Sequence, residues 1–524
     1  MDKRSIPFAA LMGLVLLATG CATGRSGASS TPAAPESQKP SEPAIAPIVP
    51  ASVFTDNMVL QRDKEVPVWG TGQPGRTVRV SFAGRQAEAV ADGDGRWRVV
   101  FDPLQTSTEP RVMTIEYVPA PAEHPALSLG NVLVGEVWFC SGQSNMELGL
   151  IGAAGGKEET QQPEDPNIRL FLINKRSSPF PLARWGGPWR RCDAQGRRRG
   201  SWNGFSAVAY YFAKKLNRDL NVPVGVIQSA FGGAAIEPFI PFEELKTKPS
   251  LERFYNEVTK ADAEYREALK TDPKARHPFA KMVEYNHLKA ATLYNAMVHP
   301  VAPMALRGFL WYQGESNMGQ RDYAEKQTAL IAGWRRVFGQ PDLSFYAVQI
   351  APWGGYGGDS LPRFWEQQVE ATSAPVTGLA LTIDLGDVQD IHPVHKKEVG
   401  ERLALLALAK TYQQQNIVYS GPVYKTMQVV KHQAVITFDF AAGGLSVPKG
   451  QELAWFTVAG ADGTFYPAQA VIRGTAVIVT SDQVAKPVAV RYAWNGRAAA
   501  GGDMPAPNLY NRQGLPARPF RTDE

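Results

Sequence analysis

Cysteine and histidine are scarce in this chain: three and seven, respectively, among 524 residues. Cys21, Cys140 and Cys192 form no CxxC pair, which excludes a zinc ribbon, a dithiol redox motif and a disulfide-stapled scaffold. No metal-ligand spacing occurs, and neither a metal nor another cofactor is expected. A membrane-spanning run is also missing. The apolar stretch "FAALMGLVLLATG" is shorter than the roughly 20 residues that cross a bilayer. Excess charge is missing too. A net +5 with no basic stripe argues against nucleic acid as a partner. The one local basic run, Arg190-Arg191 with Arg197-Arg198-Arg199, reads as a solvated loop, with an anion-binding surface as the other reading. What is present is globular material, 44% hydrophobic and 20% charged, enough for two to four domains.

Lys3 and Arg4 precede the short apolar run, and Cys21 follows "LATG", a pattern that resembles a bacterial lipobox. The expectation is a signal peptide over 1–20, cleavage before Cys21 and lipid on its thiol. The mature chain is then an exported lipoprotein of the periplasm or cell surface, held to a membrane by its N-terminal lipid anchor. Ala22 in place of Asp favours the outer membrane in a diderm host. A plain secretory signal with an incidental cysteine is the alternative. Export would permit Cys140 and Cys192 to pair; a buried free thiol is the expectation at Cys140.

Residues 21–50 are rich in Ser, Pro, Ala and Gly and read as a disordered tether. From 51 to 130 short alternating strands, such as "EVPVWGTGQPGRTVRVSFAG" with Val78, Val80 and Phe82 on one face, predict a β domain. From 131 to 415 strands alternate with helices, the pattern of an α/β parallel sheet with crossover helices. The stretch from Leu251 to Lys289 is expected to be helical and polar. From 416 to 524 "AVITFDF", "TAVIVTS" and "VAVRYAW" predict a second β domain.

Four strand ends of the central region close in small or polar residues. They carry Ser144, the pair Gly232-Gly233, the run Gln313-Gly314-Glu315-Ser316-Asn317, and the run Asp384, Asp387, Asp390, His392. Carboxyl ends of parallel strands share one edge of a sheet, so these loops can converge. Serine needs a base to take its proton, usually a histidine held by a carboxylate. His392 has acidic neighbours and precedes "VHKKEVGERLALLALAKTY", a helix with Val399, Leu403 and Leu406 on one face and Pro393 expected in its first turn. His299 is a rival base without a carboxylate near it in sequence. An acyl-transfer transition state also needs oxyanion donors, which a glycine backbone and the Gln313 amide can supply. Glu315 is expected to support the neighbouring loops by hydrogen bonds.

Asp390 is the expected partner of His392, because residues two apart on an extended segment share a side. Asp387 is the alternative, with Gly386 allowing the loop to fold back. Asp384 is read as the anchor of the loop.

The motifs "GQSNM", "WYQGESN" and "DIHPVHKKEVGERLA" resemble the sialate O-acetylesterases, a branch of the SGNH (GDSL-like) hydrolases. "SVFTDNMVLQRDKEVPVWGTGQPG", "GVIQSAFGGAAIEPF" and "PVAVRYAWNGR" with "NLYNRQGLPARPFRTD" extend the resemblance over nearly everything after the tether. It implies a flavodoxin-like, three-layer α/β/α core with accessory N- and C-terminal β domains, and metal-free removal of O-acetyl groups from sugars or glycans. Carried over by motif, Ser144 is the nucleophile and His392 the base. Ser144, Gly233 and Gln313 stand at the oxyanion positions, with Gly232 as the alternative glycine. Asn145, Glu315 and Asp387 stand around them. "FGGAAIEPF" departs from the family's usual Trp before and Thr after the glycines. Gln389 stands where many SGNH hydrolases place the triad aspartate.

Two other functions use the same features. A non-catalytic carbohydrate-binding surface lipoprotein would place the function in the β domains. A glycoside hydrolase would use Glu315 and an Asp as its two carboxylates.

Overall fold

A computed structural model describes residues 45–200, 202–281, 288–497 and 505–523. The expected signal peptide, Cys21 and the tether as far as residue 44 lie outside the described residues. The chain divides into two units, 1–45 and 46–524, and the second carries everything below. Among the described residues no helix is long and apolar enough to cross a membrane.

In the N-terminal β region the sequence alternation becomes burial. Val78, Val80 and Phe82 of strand Thr77–Phe82 point inward, as do Trp97, Val99 and Phe101 of Arg96–Phe101. Val49 and Pro50 already pair with Thr71 and Gly70. The last residues of the expected tether are therefore an edge strand, a place where proline is tolerated.

The central elements run β1 (Leu127–Gly142), α1 (Ser144–Glu147), β2 (Asp165–Leu172), β3 (Arg190–Cys192), α2 (Ala194–Arg198), α3 (Ala207–Leu220), β4 (Val224–Ala230), α4 (Glu252–Thr271), β5 (Gly308–Tyr312), α5 (Tyr323–Val337), β6 (Ser344–Val348), α6 (Ser360–Glu370), β7 (Thr377–Ala380) and α7 (Lys396–Leu406). The sheet order is β3-β2-β4-β1-β5-β6-β7. β3 pairs antiparallel with β2; the other neighbours are parallel. β4 and β5 are buried at every position, as a strand covered on both faces must be.

β1 organises the molecule. It is one 16-residue strand, so the expected division at 130/131 falls inside it. Its first half pairs antiparallel with Ser107–Val118. Its second half lies between β4 and β5, where the chain order reverses. In open α/β sheets that reversal opens a crevice at the strands' carboxyl ends. Successive β1 residues face opposite ways. Trp138 meets Phe212 of α3 at 5.0 Å between ring centroids, and Phe139 meets Trp334 of α5 at 5.5 Å.

Two helix expectations change. α4 stops at Thr271, short of Lys289, because Pro273 disfavours helical geometry at Asp272 before it. α7 starts at Lys396, after His395 with φ −76° and ψ 58°. Pro393 thus lies outside the helix, and His392 stands clear of the helix N-terminus. Val399, Leu403 and Leu406 are buried as expected. The C-terminal region forms antiparallel sheets, one containing Gln433–Asp439 and Ala476–Thr480, another Phe456–Ala459 and Ala489–Tyr492. Cys140 and Cys192 are both buried free thiols. Burial pushes the Cys140 thiol far above its ordinary value and the Cys192 thiol up to about 12.

Candidate active site

The switch-point crevice holds Ser144 at the first position of α1, two residues beyond the end of β1. Gly142 makes the turn possible. Its φ is +139°, and a side chain there would approach the Tyr312 carbonyl oxygen to 2.1 Å. The Gln143 N–H then donates to that same carbonyl at 3.0 Å, locking the turn onto the end of β5.

Ser144 Oγ lies 2.9 Å from His392 Nε2. His392 Nδ1 lies 3.3 Å from Asp390 Oδ1. The three residues come from loops 248 positions apart in sequence at the widest. Asp390 does not reach the ring from an extended segment. Its Oδ1 accepts the His392 backbone N–H at 2.8 Å, a tight local turn in which one carboxylate oxygen serves both backbone and ring. The Trp202 ring meets the imidazole edge-on at 4.9 Å. Burial lowers the His392 pKa from its ordinary value; Asp390 opposes this, and Lys396 adds to it.

The other candidates lie elsewhere. Asp387 Oδ1 accepts the Gln389 N–H at 2.7 Å and braces its own turn. Asp384 makes a two-pronged pair with Arg402 at 2.7 and 2.6 Å, anchoring the loop. His299 is committed to the Leu182 carbonyl at 3.0 Å.

The glycine loop divides its labour. The Gly232 N–H donates to Glu147 Oε2 at 2.7 Å. Gly233, at φ +75°, has an N–H with no acceptor among the described residues. The Ser144 N–H, at the start of α1, has none either. A side chain on Gly232 would come 3.5 Å from Ser144 Cβ, which shows how closely this loop abuts the serine.

Gln313 departs from its expected position as an open donor. It is fully buried. Its Nε2 faces Asn317 Oδ1 at 2.7 Å, Gln143 Oε1 at 3.2 Å and the Ala234 carbonyl at 3.3 Å. Its Oε1 accepts from the Tyr323 hydroxyl at 2.8 Å. The amide is thus spent inside the protein, tying the serine turn, the glycine loop and the end of β5 together. A buried amide must satisfy its donors, and three acceptors surround it.

Asn145 and Glu315 meet as a second brace. Asn145 Nδ2 donates to Glu315 Oε1 at 2.5 Å and to the Ile391 carbonyl at 3.1 Å. Lys396, fully buried, donates to Asn145 Oδ1 at 2.5 Å. Burial lowers the Lys396 pKa to about 7. Burial raises that of Glu315, whose Oε2 has no hydrogen-bond partner among the described residues.

Sequence reasoning missed Glu147, Gln143 and Lys396. Glu147 stands three residues after Ser144, where one helical turn returns a side chain to the same face. Lys396 sits three residues before Val399 on the apolar face of α7, a position where an ammonium signals a buried partner.

Comparison with known proteins points to carbohydrate esterases. The family model for carbohydrate esterases of the sialic acid-specific acetylesterase type matches residues 279–413. The sialate O-acetylesterase of Rattus norvegicus is 28% identical over 438 residues, covering 74% of this chain and 78% of that protein. The human protein of the same name is 27% identical over 425 residues, covering 74% and 76%. The crystal structure of a carbohydrate acetylesterase from Xanthomonas citri superposes with a TM-score of 0.76 at 34% identity, covering 91% of this chain and 99% of that one. The chain belongs to the sialate O-acetylesterase family of carbohydrate esterases.

Proposed function

We propose that the protein removes O-acetyl groups from sugars through an acetyl–serine intermediate. The observation that carries this reading is the 2.9 Å contact between Ser144 Oγ and His392 Nε2 at the carboxyl end of the central strand. His392 takes the Ser144 proton as Oγ attacks the acetyl carbonyl, and then gives it to the departing sugar hydroxyl. Water, deprotonated by the same nitrogen, attacks the acetyl–enzyme and releases acetate. Asp390 orients the ring and favours the imidazolium formed in each step. The Ser144 and Gly233 N–H groups are the donors for the oxyanion, and both are unengaged among the described residues. No step calls on a metal.

The core is read as a flavodoxin-like three-layer sandwich, a reading supported by the opposed contacts of Trp138 and Phe139. The division at 415/416 and the lipid anchor at Cys21 belong to the same proposal. A glycoside hydrolase is disfavoured because the Glu315 carboxyl is turned onto Asn145 with Oε2 buried.

The test is acetate release from p-nitrophenyl acetate and acetylated sugars. Ser144→Ala is expected to lower turnover by about 10⁶-fold with the melting temperature preserved, by analogy with other serine triads. Near-normal turnover removes Ser144 from the mechanism. Cys21→Ser is expected to move the protein from the membrane fraction to a soluble exported one.

A further inference from the structure

Two neighbouring strands of the C-terminal β region carry a tryptophan at the same end. Trp455 stands just before strand Phe456–Ala459, and Trp494 just beyond strand Ala489–Tyr492. Phe456 pairs with Tyr492 in antiparallel register, which brings the two tryptophans together. The backbone there is strained. Trp455 has a φ of +67° and Ala493 a φ of +51°, the left-handed region that residues with a side chain rarely adopt. Two bonds hold it: the Ala493 N–H donates to the Trp455 carbonyl at 2.9 Å, and Trp455 Nε1 donates to the Pro505 carbonyl at 2.7 Å. Core packing does not explain the strain, since both tryptophans are only partly buried. Strain fixed by its surroundings clusters at binding sites.

Both tryptophans line one cleft of about 570 Å³. Arg521 stands over the Trp494 ring, 5.1 Å from its centre, and is not among the residues lining the cleft, so it braces the ring from outside. Gln451, Glu452 and Asn495 also line the cleft and are exposed. Gln451 Oε1 accepts from Asn508 Nδ2 at 3.2 Å, and Asn495 Oδ1 accepts the Arg497 N–H at 2.8 Å. Both amides are thereby oriented with their NH2 groups uncommitted among the described residues. Glu452 is the one charged side chain among the described residues lining the cleft. An anion would be repelled by it. A pyranose ring has the complementary surface: a face of C–H bonds that lies on an aromatic ring, and an edge of hydroxyls that donate to a carboxylate and accept from amides.

One loop joins the cleft to the ester crevice. Asn495 precedes Gly496, whose N–H donates to the Gly358 carbonyl at 2.9 Å. In the same loop the Gly354 N–H donates to the Val388 carbonyl at 3.1 Å, two residues before Asp390. The chain from 354 to 358 spans at most about 14 Å.

We propose that this cleft binds an uncharged pyranose of a glycan, stacked on Trp455 and Trp494 with its hydroxyls on Gln451, Glu452 and Asn495. The binding stands apart from the esterase reading. Its use rests on that reading: glycan held here raises the concentration of acetyl esters at Ser144.

The experiment titrates the native protein calorimetrically with cellohexaose, xylohexaose and mannohexaose, which carry no ester. At least one is expected to bind, and Trp455→Ala to weaken it about tenfold or more, as loss of an aromatic anchor does. Native turnover of p-nitrophenyl acetate shows that the variant is folded. If Trp455→Ala does not fold, Gln451→Ala/Asn495→Ala decides, since both positions are exposed. No binding of any oligosaccharide, or native affinity in the folded variant, overturns the site. Binding of a hexaproline peptide in preference to all three also overturns it, because aromatic grooves suit polyproline helices too. On the acetylated form of the bound oligosaccharide, the variant is expected to raise KM about tenfold with kcat unchanged, by the same loss of affinity. An unchanged KM removes the delivery role. Oligosaccharide binding without acetate release from any substrate leaves the cleft standing and removes the esterase reading.

Discussion

Lys396 Nζ donates to Asn145 Oδ1 at 2.5 Å, while Asn145 Nδ2 holds both Glu315 and the Ile391 carbonyl. One buried chain of contacts thereby links α7, the serine turn, the end of β5 and the residue before His392. Lys396→Met is expected to lower kcat about tenfold, about 1.4 kcal/mol in the barrier, because the base loop loses its tether to the serine turn. The Lys396 charge also lowers the His392 pKa. Its removal should therefore move the acid limb of the kcat/KM profile to higher pH. Stability carries a second signature. The folded Lys396 pKa is about 7, against 10.5 unfolded. Between those values the unfolded chain binds the extra proton, so native stability relative to Lys396→Met rises as pH climbs from about 7 to about 10.5. Thermal melts across that range check the sign.

Glu147 holds the glycine loop through a charged acceptor, Oε2 to the Gly232 N–H at 2.7 Å. Glu147→Ala releases that N–H and lets the adjacent Gly233 donor drift from the oxyanion position. The expected result is a kcat loss approaching the roughly 10²-fold that follows deletion of one oxyanion donor, with little change in KM. Initial-rate kinetics on p-nitrophenyl acetate separate the two. A change confined to KM would place Glu147 in substrate binding instead.

The strands, the central helices and the Ser144–His392 pairing were legible because each rests on local pattern: apolar runs ending in Gly or polar residues, and a histidine among acids. The tight turn that brings Asp390 to the ring was not, since it depends on whether a carboxylate bonds its own backbone two residues on. The start of α7 was misjudged because Pro393 fits a first helical turn, while the chain there is already committed to the active-site loop. Gln313 was legible as polar at a strand end, but its role depends on which acceptors surround it. Asn317 is only four residues away, but Gln143 and Ala234 are 170 and 79 positions distant, and that separation hides them.

Gln313→Ala distinguishes a scaffold from an exposed donor. With its amide inside a network that includes Tyr323, Gln143 and Asn317, the substitution leaves buried partners unsatisfied. A stability loss of about 1–3 kcal/mol is expected alongside reduced kcat. Urea unfolding measures the first and steady-state kinetics the second. A rate loss with unchanged stability would return Gln313 to the oxyanion site.

The triad acid is decided by Asp390→Asn against Asp387→Asn. Asp390 is 3.3 Å from His392 Nδ1 and more than half exposed. Asp387 is turned onto the Gln389 N–H. In a serine triad with a buried aspartate, the Asn change costs about 10⁴-fold by favouring the wrong imidazole tautomer. Water competes for an exposed carboxylate and weakens its hold on the ring. Asp390→Asn is therefore expected to cost less, about 10²- to 10³-fold in kcat, on the same tautomer argument. It should also lower the His392 pKa further, since Asp390 is the charge that raises it. The acid limb of the pH–rate profile then moves to lower pH, the direction opposite to Lys396→Met. Asp387→Asn should leave both kcat and the profile close to native, because asparagine oxygen still accepts the Gln389 N–H. A large loss in Asp387→Asn with an active Asp390→Asn would reassign the acid, and equal small losses would mean that the Ser144–His392 pair works without a third member.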